Sequence, residues 1–287
     1  MHIPVLLNEA LEFLALKPDG IYADVTCGLG GHTIAIAGRL TTGFVVSTDR
    51  DEESLELARQ NAGPVAERIR FARARFSEVR QVLDGMGIGK VDGLIADLGL
   101  SMHQLRAGRG FSFSERAPLS MKMGESEEDT PTAEELLNTE SEKQLADLIY
   151  GLGEERGSRR IARAIVRARP IRDTRHLADV IEAAVHRTGR LHPATLTFMA
   201  LRRAVNREPQ ELDALLRAIP ELVAPGGRAV CISFMSLEDR QLKEAFRGLA
   251  KEGRARLLTK HVVTPGEAEV ATNAAARSAK LRALEMV

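Results

Sequence analysis

Between Gly20 and Leu100 the chain alternates short apolar, strand-forming runs with stretches of helical periodicity. The runs are GIYADVT, GFVVSTD, RIRFARA and VDGLIADLG, and DEESLELARQNA is of the helical kind. Short apolar runs bounded by turn residues suit strands buried on both faces, and strands that alternate with helices pair in parallel. The pattern therefore predicts βαβ units and a mostly parallel sheet. From about Thr130 to Val205 the strand signals vanish, and LADLIYGLG, RIARAIVRA and HLADVIEAAV carry helical spacing. After Glu211 the first regime returns in ELDALLRAIPELVAPGGRAVCISF, which predicts a helix, a Pro-Gly-Gly turn and a buried strand. The expected organisation is one α/β domain over 1–104 and 208–287, interrupted by an all-helical insertion over 105–207.

Within the insertion, Thr130-Pro131 suits an N-cap followed by proline at the first helical position, and Ser141-x-x-Gln144 suits a capping box. Its early part, GESEEDTPTAEELLNTESE, is acidic, whereas ERGSRRIARAIVRARPIRDTRH is strongly basic. Arg156, Arg160, Arg163 and Arg167 recur at i, i+4, i+7 and i+11, which predicts one helix face with Ile161 and Ile165 turned elsewhere. Such a row is either a solvated face or a surface that tracks phosphates. The formal net charge is zero, which decides nothing about nucleic acid, because binding depends on where charge lies. Tryptophan is absent and tyrosine scarce, so a broad base-stacking platform is not expected.

No run of eighteen apolar residues predicts a membrane span, and MHIPVLLNEA lacks the basic and apolar segments of a secretory signal. The two cysteines, Cys27 and Cys231, stand apart without metal-type spacing. A cytoplasmic protein with two buried, reduced thiols and no metal is expected, acting as a monomer or homodimer.

DVTCGLGGHT lies between an expected strand and an expected helix, where glycines allow a sharp turn and close approach of a ligand. Asp24 precedes the loop, and Asp49 ends the next strand, where a carboxylate can accept both hydroxyls of a ribose. A dinucleotide and S-adenosylmethionine both fit such a pair. The dinucleotide brings a diphosphate, which favours helix N-terminal amides, whereas the sulfonium and amino group of S-adenosylmethionine favour nearby carboxylates. Acids on both sides of the loop suit the second ligand better. Two roles are open for His32: a hydrogen bond to the ligand carboxylate, or a place at the helix start. VDGLIADLGLSMHQL ends a strand at Asp97, so Asp97, Ser101 and Gln104 are expected on the same carboxyl-end rim. RGFSF and PLSMKM follow as either a lid or a seam between domains.

GGHT, DRD, DGLIADLGLSMHQL, RGFSF, PLSMKM, YGLGEERGSRRIARAIV, HPATLTFMALRRAVN, APGGRAVCISFMSLEDR and NAAARSAKLR, in this order, resemble the bacterial 16S ribosomal RNA (cytosine-N4)-methyltransferase family. The resemblance runs from about Ile3 to Arg282. It implies a class I methyltransferase sheet, Rossmann-like, with an inserted helical domain that recognises the substrate. It also implies S-adenosylmethionine as methyl donor, and 16S ribosomal RNA or the small ribosomal subunit as partner. Cofactor contacts carried over are Gly30, Gly31, His32, Asp49, Phe76, Asp97 and Gln104. Phe76 has an independent rationale, since an aromatic after the third strand can pack against adenine. The sequence departs from the family at Met235, where histidine is usual, at Ser120, where aspartate is usual, and after Gln104-Leu105, where an acid is usual.

Methylating a cytosine amine calls for a group that accepts a hydrogen bond from it, and the candidates are Asp97 and the Ser101 hydroxyl. Arg156, Arg160, Arg163 and Arg167, with Arg277, Lys280 and Arg282 near the C-terminus, are the expected phosphate contacts. Two rival readings are a non-catalytic RNA-binding assembly factor on the same fold and a dinucleotide-dependent oxidoreductase.

Overall fold

The computed structural model describes residues 4–124, 130–185 and 192–287. The acidic residues 125–129 and the start of the family resemblance at Ile3 lie outside that range. The chain divides into two compact units, 1–99 with 209–287, and 100–208. These divisions fall at Gly99 and Glu208, whereas the sequence places them at 104/105 and 207/208.

The first part of the α/β unit runs through α1 (Leu7–Leu14), β1 (Ile21–Asp24), α2 (Gly31–Ala37), β2 (Phe44–Asp49), α3 (Glu52–Asn61), β3 (Ile69–Arg73), α4 (Val79–Gly85) and β4 (Val91–Asp97). The helical unit contains α5 (Met102–Arg106), α6 (Ala133–Thr139), α7 (Glu142–Gly153), α8 (Ser158–Ala168), α9 (Thr174–Ala184) and α10 (Thr195–Val205). The chain then continues through α11 (Glu208–Leu222), β5 (Val223–Ser233), α12 (Ser236–Lys251), β6 (Ala255–Leu257), α13 (Glu267–Thr272) and β7 (Lys280–Met286).

The strands form one sheet in the order β3-β2-β1-β4-β5-β7-β6. β1 to β5 are parallel, and β7 runs antiparallel to both of its neighbours. Side chains leave the sheet with a period of two. Leu94 and Ala96 join a core with Leu83, Leu215 and Phe246, while Ile95 joins Tyr22, Ile36 and Val230 on the opposite face. The expected Pro-Gly-Gly turn is instead part of β5. Val91 pairs with Val223 and Gly93 with Arg228, so Pro225–Gly227 is accommodated as a register shift inside the strand.

The helical unit has its own apolar core, built from residues such as Leu137, Ile149, Ile161, Ile165, Ile181 and Leu201. Ser141 and Gln144 cap α7 reciprocally, as read from the sequence. α6 starts two residues later than Thr130-Pro131 suggests. Thr132 Oγ1 accepts the Glu135 N–H at 3.1 Å and Glu135 Oε2 accepts the Thr132 N–H at 2.7 Å, a reciprocal cap that outcompetes the Thr-Pro start. Arg156 lies before α8, because Gly157 occupies its N-cap position. RGFSF and PLSMKM supply core residues of this unit, with Phe111, Leu119, Met121 and Met123 buried. Phe113 stacks on His192 with ring centroids 4.6 Å apart. Asn206 pins this segment. Its amide donates to the Met121 carbonyl at 2.7 Å, and its carbonyl accepts from the Met123 N–H at 2.9 Å.

No helix among the described residues is long and apolar enough to cross a membrane.

Asn206 is fully buried and satisfies two backbone groups that have no access to water. Asn206→Ala removes both of these bonds, and it should lower stability by about 2–3 kcal/mol, measured as a shift in the urea unfolding midpoint.

Candidate functional site

The loops after β1 and β4 leave neighbouring parallel strands at the point where strand order reverses, which is where open α/β sheets collect ligands. Three strands end there in aspartates: Asp24 on β1, Asp49 on β2 and Asp97 on β4. They differ sharply in what they hold.

Asp24 is 1 % exposed and spends its oxygens on the loop itself. Its Oδ1 accepts the Thr26 N–H at 3.0 Å and the Thr26 hydroxyl at 3.3 Å, and its Oδ2 accepts the Thr33 hydroxyl at 2.6 Å. Thr33 donates there, so the Ser47 hydroxyl 2.6 Å away donates to Thr33. The carboxylate thus organises the turn. Asp49 is half-buried and accepts two backbone N–H groups, from Gly28 at 2.8 Å and Asp51 at 3.0 Å. Burial pushes its carboxyl up to about 6 in spite of those two donors.

Asp97 differs from both. Its backbone N–H donates to Thr26 Oγ1 at 2.6 Å, which ties β4 to the loop after β1. Its side-chain Oδ1 is buried with no hydrogen-bond partner among the described residues. Oδ2 faces His32 Nδ1 at 3.8 Å. Burial, with the charges of Asp24 and Glu238 added, raises the Asp97 carboxyl well above the usual carboxylate range.

The glycine loop turns through positive φ at Gly28 (50°) and Gly30 (88°), conformations that side chains strain to adopt. His32 and Thr33 are buried in the first turn of α2, and His32 Nε2 lies 3.1 Å from the Val5 carbonyl. Phe76 follows β3 in a short 3₁₀ turn, half-buried with its ring against the core. Ser101 and Gln104 belong to the helical unit, where they cap α5 reciprocally. Gln104 Oε1 accepts the Ser101 N–H at 3.0 Å, and Ser101 Oγ accepts the Gln104 N–H at 3.2 Å.

Two contributors are missed by sequence reasoning. Thr26 bridges the β1 and β4 ends, and its signal was the Asp-x-Thr spacing of a side-chain turn. Glu238 Oε2 accepts from the N–H groups of Phe234 and Met235 at 3.3 Å each. Its signal was a glutamate at the third position of a helix, masked because Met235 occupies the N-cap.

The basic residues divide. Arg160, Arg163 and Arg167 are exposed along α8 opposite the buried Ile161 and Ile165, and Arg156 is exposed just before the helix. Arg163 lies 3.3 Å from Glu142 of α7. Arg277 is exposed and Lys280 half-buried. Arg282 corrects the expectation of a phosphate contact. It is buried and grips Asp239 through two bonds of 2.7 and 3.2 Å, so its charge is spent inside the α/β unit. Cys27 and Cys231 are both buried and reduced. Burial pushes the Cys231 thiol up to about 12 and the Cys27 thiol higher still, which leaves neither as a nucleophile.

The carboxyl groups suit a cation. A positive group beside Asp97 would favour its ionised form and give Oδ1 a partner, whereas a diphosphate would add charge of the same sign. The cofactor expected from the sequence, with its sulfonium and amino group, fits this donor set.

Comparison with known proteins gives a consistent result. The model of the MraW methylase family matches residues 1–287. A protein of Solibacter usitatus named "Ribosomal RNA small subunit methyltransferase H" is 56 % identical over 287 residues, covering 100 % of both chains. One of the same name from Koribacter versatilis is 47 % identical over 295 residues, covering 98 % of this chain and 93 % of its own. Among solved structures, an rRNA methylase from Streptococcus thermophilus superposes with a TM-score of 0.50 at 13 % identity, covering 100 % and 99 %. That likeness speaks for the fold.

The Asp49 environment generates a pH signature. The folded carboxyl titrates near 6 and the unfolded one near 3.8, so between these values the folded protein keeps a proton that the unfolded chain has released. Its contribution to stability is therefore full below the lower value and lost as pH rises through the upper one. Carbon-detected NMR of the Asp49 carboxyl should show a midpoint of about 6.

Proposed function

Because the chain belongs to the MraW methylase family, we propose that it transfers a methyl group from S-adenosylmethionine to the exocyclic N4 amine of one cytidine in 16S ribosomal RNA. The reaction goes with a cytoplasmic enzyme acting on RNA of the small ribosomal subunit. The observation that carries this reading is Asp97, a half-buried carboxyl whose buried Oδ1 has no hydrogen-bond partner among the described residues, at the strand end beside the glycine loop.

S-adenosylmethionine, when bound, supplies a methyl group activated by a positively charged sulfur. Around it, Gly30, Gly31 and His32 form the loop side of the site, Asp49 accepts the ribose hydroxyls, and Phe76 packs on the adenine. Asp49 can do this because Gly28 and Asp51 each use only one lone pair of their respective oxygens.

The cytosine amine is a poor nucleophile, since its lone pair is delocalised into the ring. A carboxylate that accepts its N–H localises that pair and takes the proton that must leave N4. Asp97 fills this role. Burial, with the charges of Asp24 and Glu238 added, raises the proton affinity of the Asp97 carboxyl, which suits it to accept that proton. The target base has to be unstacked to reach the rim. Arg156, Arg160, Arg163 and Arg167, with Arg277 and Lys280, hold flanking phosphates, and the helical unit selects the substrate.

Asp97→Asn should weaken S-adenosylmethionine binding in calorimetry, because it removes the charge beside the cation, and should methylate about 100-fold more slowly with the cofactor saturating. Full-rate methylation would remove Asp97 from the proton transfer. Mass mapping of 16S RNA from a deletion strain should show one cytidine lacking a methyl group. An unchanged map would favour an assembly factor instead. For RNA binding, replacing Arg160, Arg163 or Arg167 by Gln should flatten the plot of log affinity against log salt by about 0.7 per contact on single-stranded RNA.

A further inference from the structure

The segment Pro4–Leu6 lies across the start of α2. A Cβ on Gly31 would stand 2.6 Å from Pro4 Cγ, so the proline occupies the space that a side chain there would need. The Val5 carbonyl receives His32 Nε2 at 3.1 Å. A carbonyl only accepts, so Nε2 carries the proton, and Nδ1 is the ring nitrogen turned toward Asp97 Oδ2 at 3.8 Å. One backbone oxygen thus sets both the tautomer and the orientation of the ring beside Asp97.

That oxygen needs holding. The next residue, Leu6, is buried and sits at φ 51°, a left-handed conformation unfavourable for a residue with a side chain. Its N–H donates at 2.7 Å to Oε1 of Glu269 on α13, more than 250 residues away in sequence. Glu269 therefore fastens the turn whose preceding carbonyl orients His32.

We propose that Glu269 is a positioning residue of the methyl-transfer site: by anchoring Leu6 it holds the Pro4–Leu6 strap, whose Val5 carbonyl fixes the His32 ring against Asp97. The inference deepens the methyltransferase reading and rests on it for the identity of the ligand. Glu269 acts through its oxygen as an acceptor. Its charge is not required.

The test uses full-length protein and three variants, Glu269→Ala, Glu269→Gln and, as a control on the same helix, Glu267→Ala. Nitrogen NMR of His32 reports which ring nitrogen carries the proton, and calorimetry with S-adenosylmethionine reports affinity. The parent, E269Q and E267A should share an Nε2-protonated His32 and one Kd. E269A should show His32 resonances displaced toward mixed tautomers and a Kd raised about tenfold. Should E269A fail to fold, deletion of residues 1–5 removes the Val5 carbonyl directly and should give the same two changes. Unchanged His32 resonances, a Kd within twofold of the parent, or a defect in E269Q equal to that of E269A would each overturn the proposal. A parent protein that ignores S-adenosylmethionine would instead overturn the cofactor reading, and the His32 comparison would still judge the role of Glu269.

Discussion

Parallel strand ends that carry acids must give their oxygens partners or leave them bare, and this site does both. The oxygens of Asp24 are taken up by hydroxyls and an amide of its own loop, and those of Asp49 accept two backbone N–H groups. Glu238 takes the amides that open α12. Of these four acids, only Asp97 has a buried oxygen without a partner among the described residues. An unpaired buried acceptor is costly, and native proteins retain one where a ligand completes it. Burial raises the proton affinity of Asp97, and the charges of Asp24 and Glu238 raise it further. Structure and reactivity therefore come from a single cluster.

The strands and the glycine loop are legible in the sequence because they rest on short-range rules: apolar runs, glycine at a strand-to-helix turn, an aspartate at the ends of β1, β2 and β4. The capping box at Ser141 and the inward face of Ile161 and Ile165 are legible for the same reason. What is not legible depends on meetings between distant segments. Arg282 looks like one more cation in a basic tail, and only folding brings Asp239 to it. Nothing local about Glu269 or Val5 hints that they converge on the glycine loop. The Pro-Gly-Gly of β5 reads as a turn, yet the register of β4 draws it into the strand as an irregularity.

The helical unit shows how a motif can mislead about place. PLSMKM has the mixed apolar and basic look of a flap, but its Leu and Met side chains fill the core of that unit, and Asn206 bonds its backbone. Ser120, where the sequence departs from the family, accepts the Lys122 N–H at 3.4 Å within the same segment. Met235, another departure, stands at the N-cap of α12, where Glu238 accepts its N–H. Of the three departures, Met235 falls in the α/β unit, and Ser120 and the position after Gln104-Leu105 fall in the helical unit.

Strand β4 finds its parallel neighbour β5 only after the whole helical unit has been traversed, with Ala96 opposite Cys231. Joining ends so far apart costs chain entropy that grows with the length of the loop, and contacts of this kind slow the search for the native state. The helices between them make mostly local contacts around a core of their own. The insertion thus carries its own core, and the length of chain that it adds is what the pairing of β4 with β5 has to close.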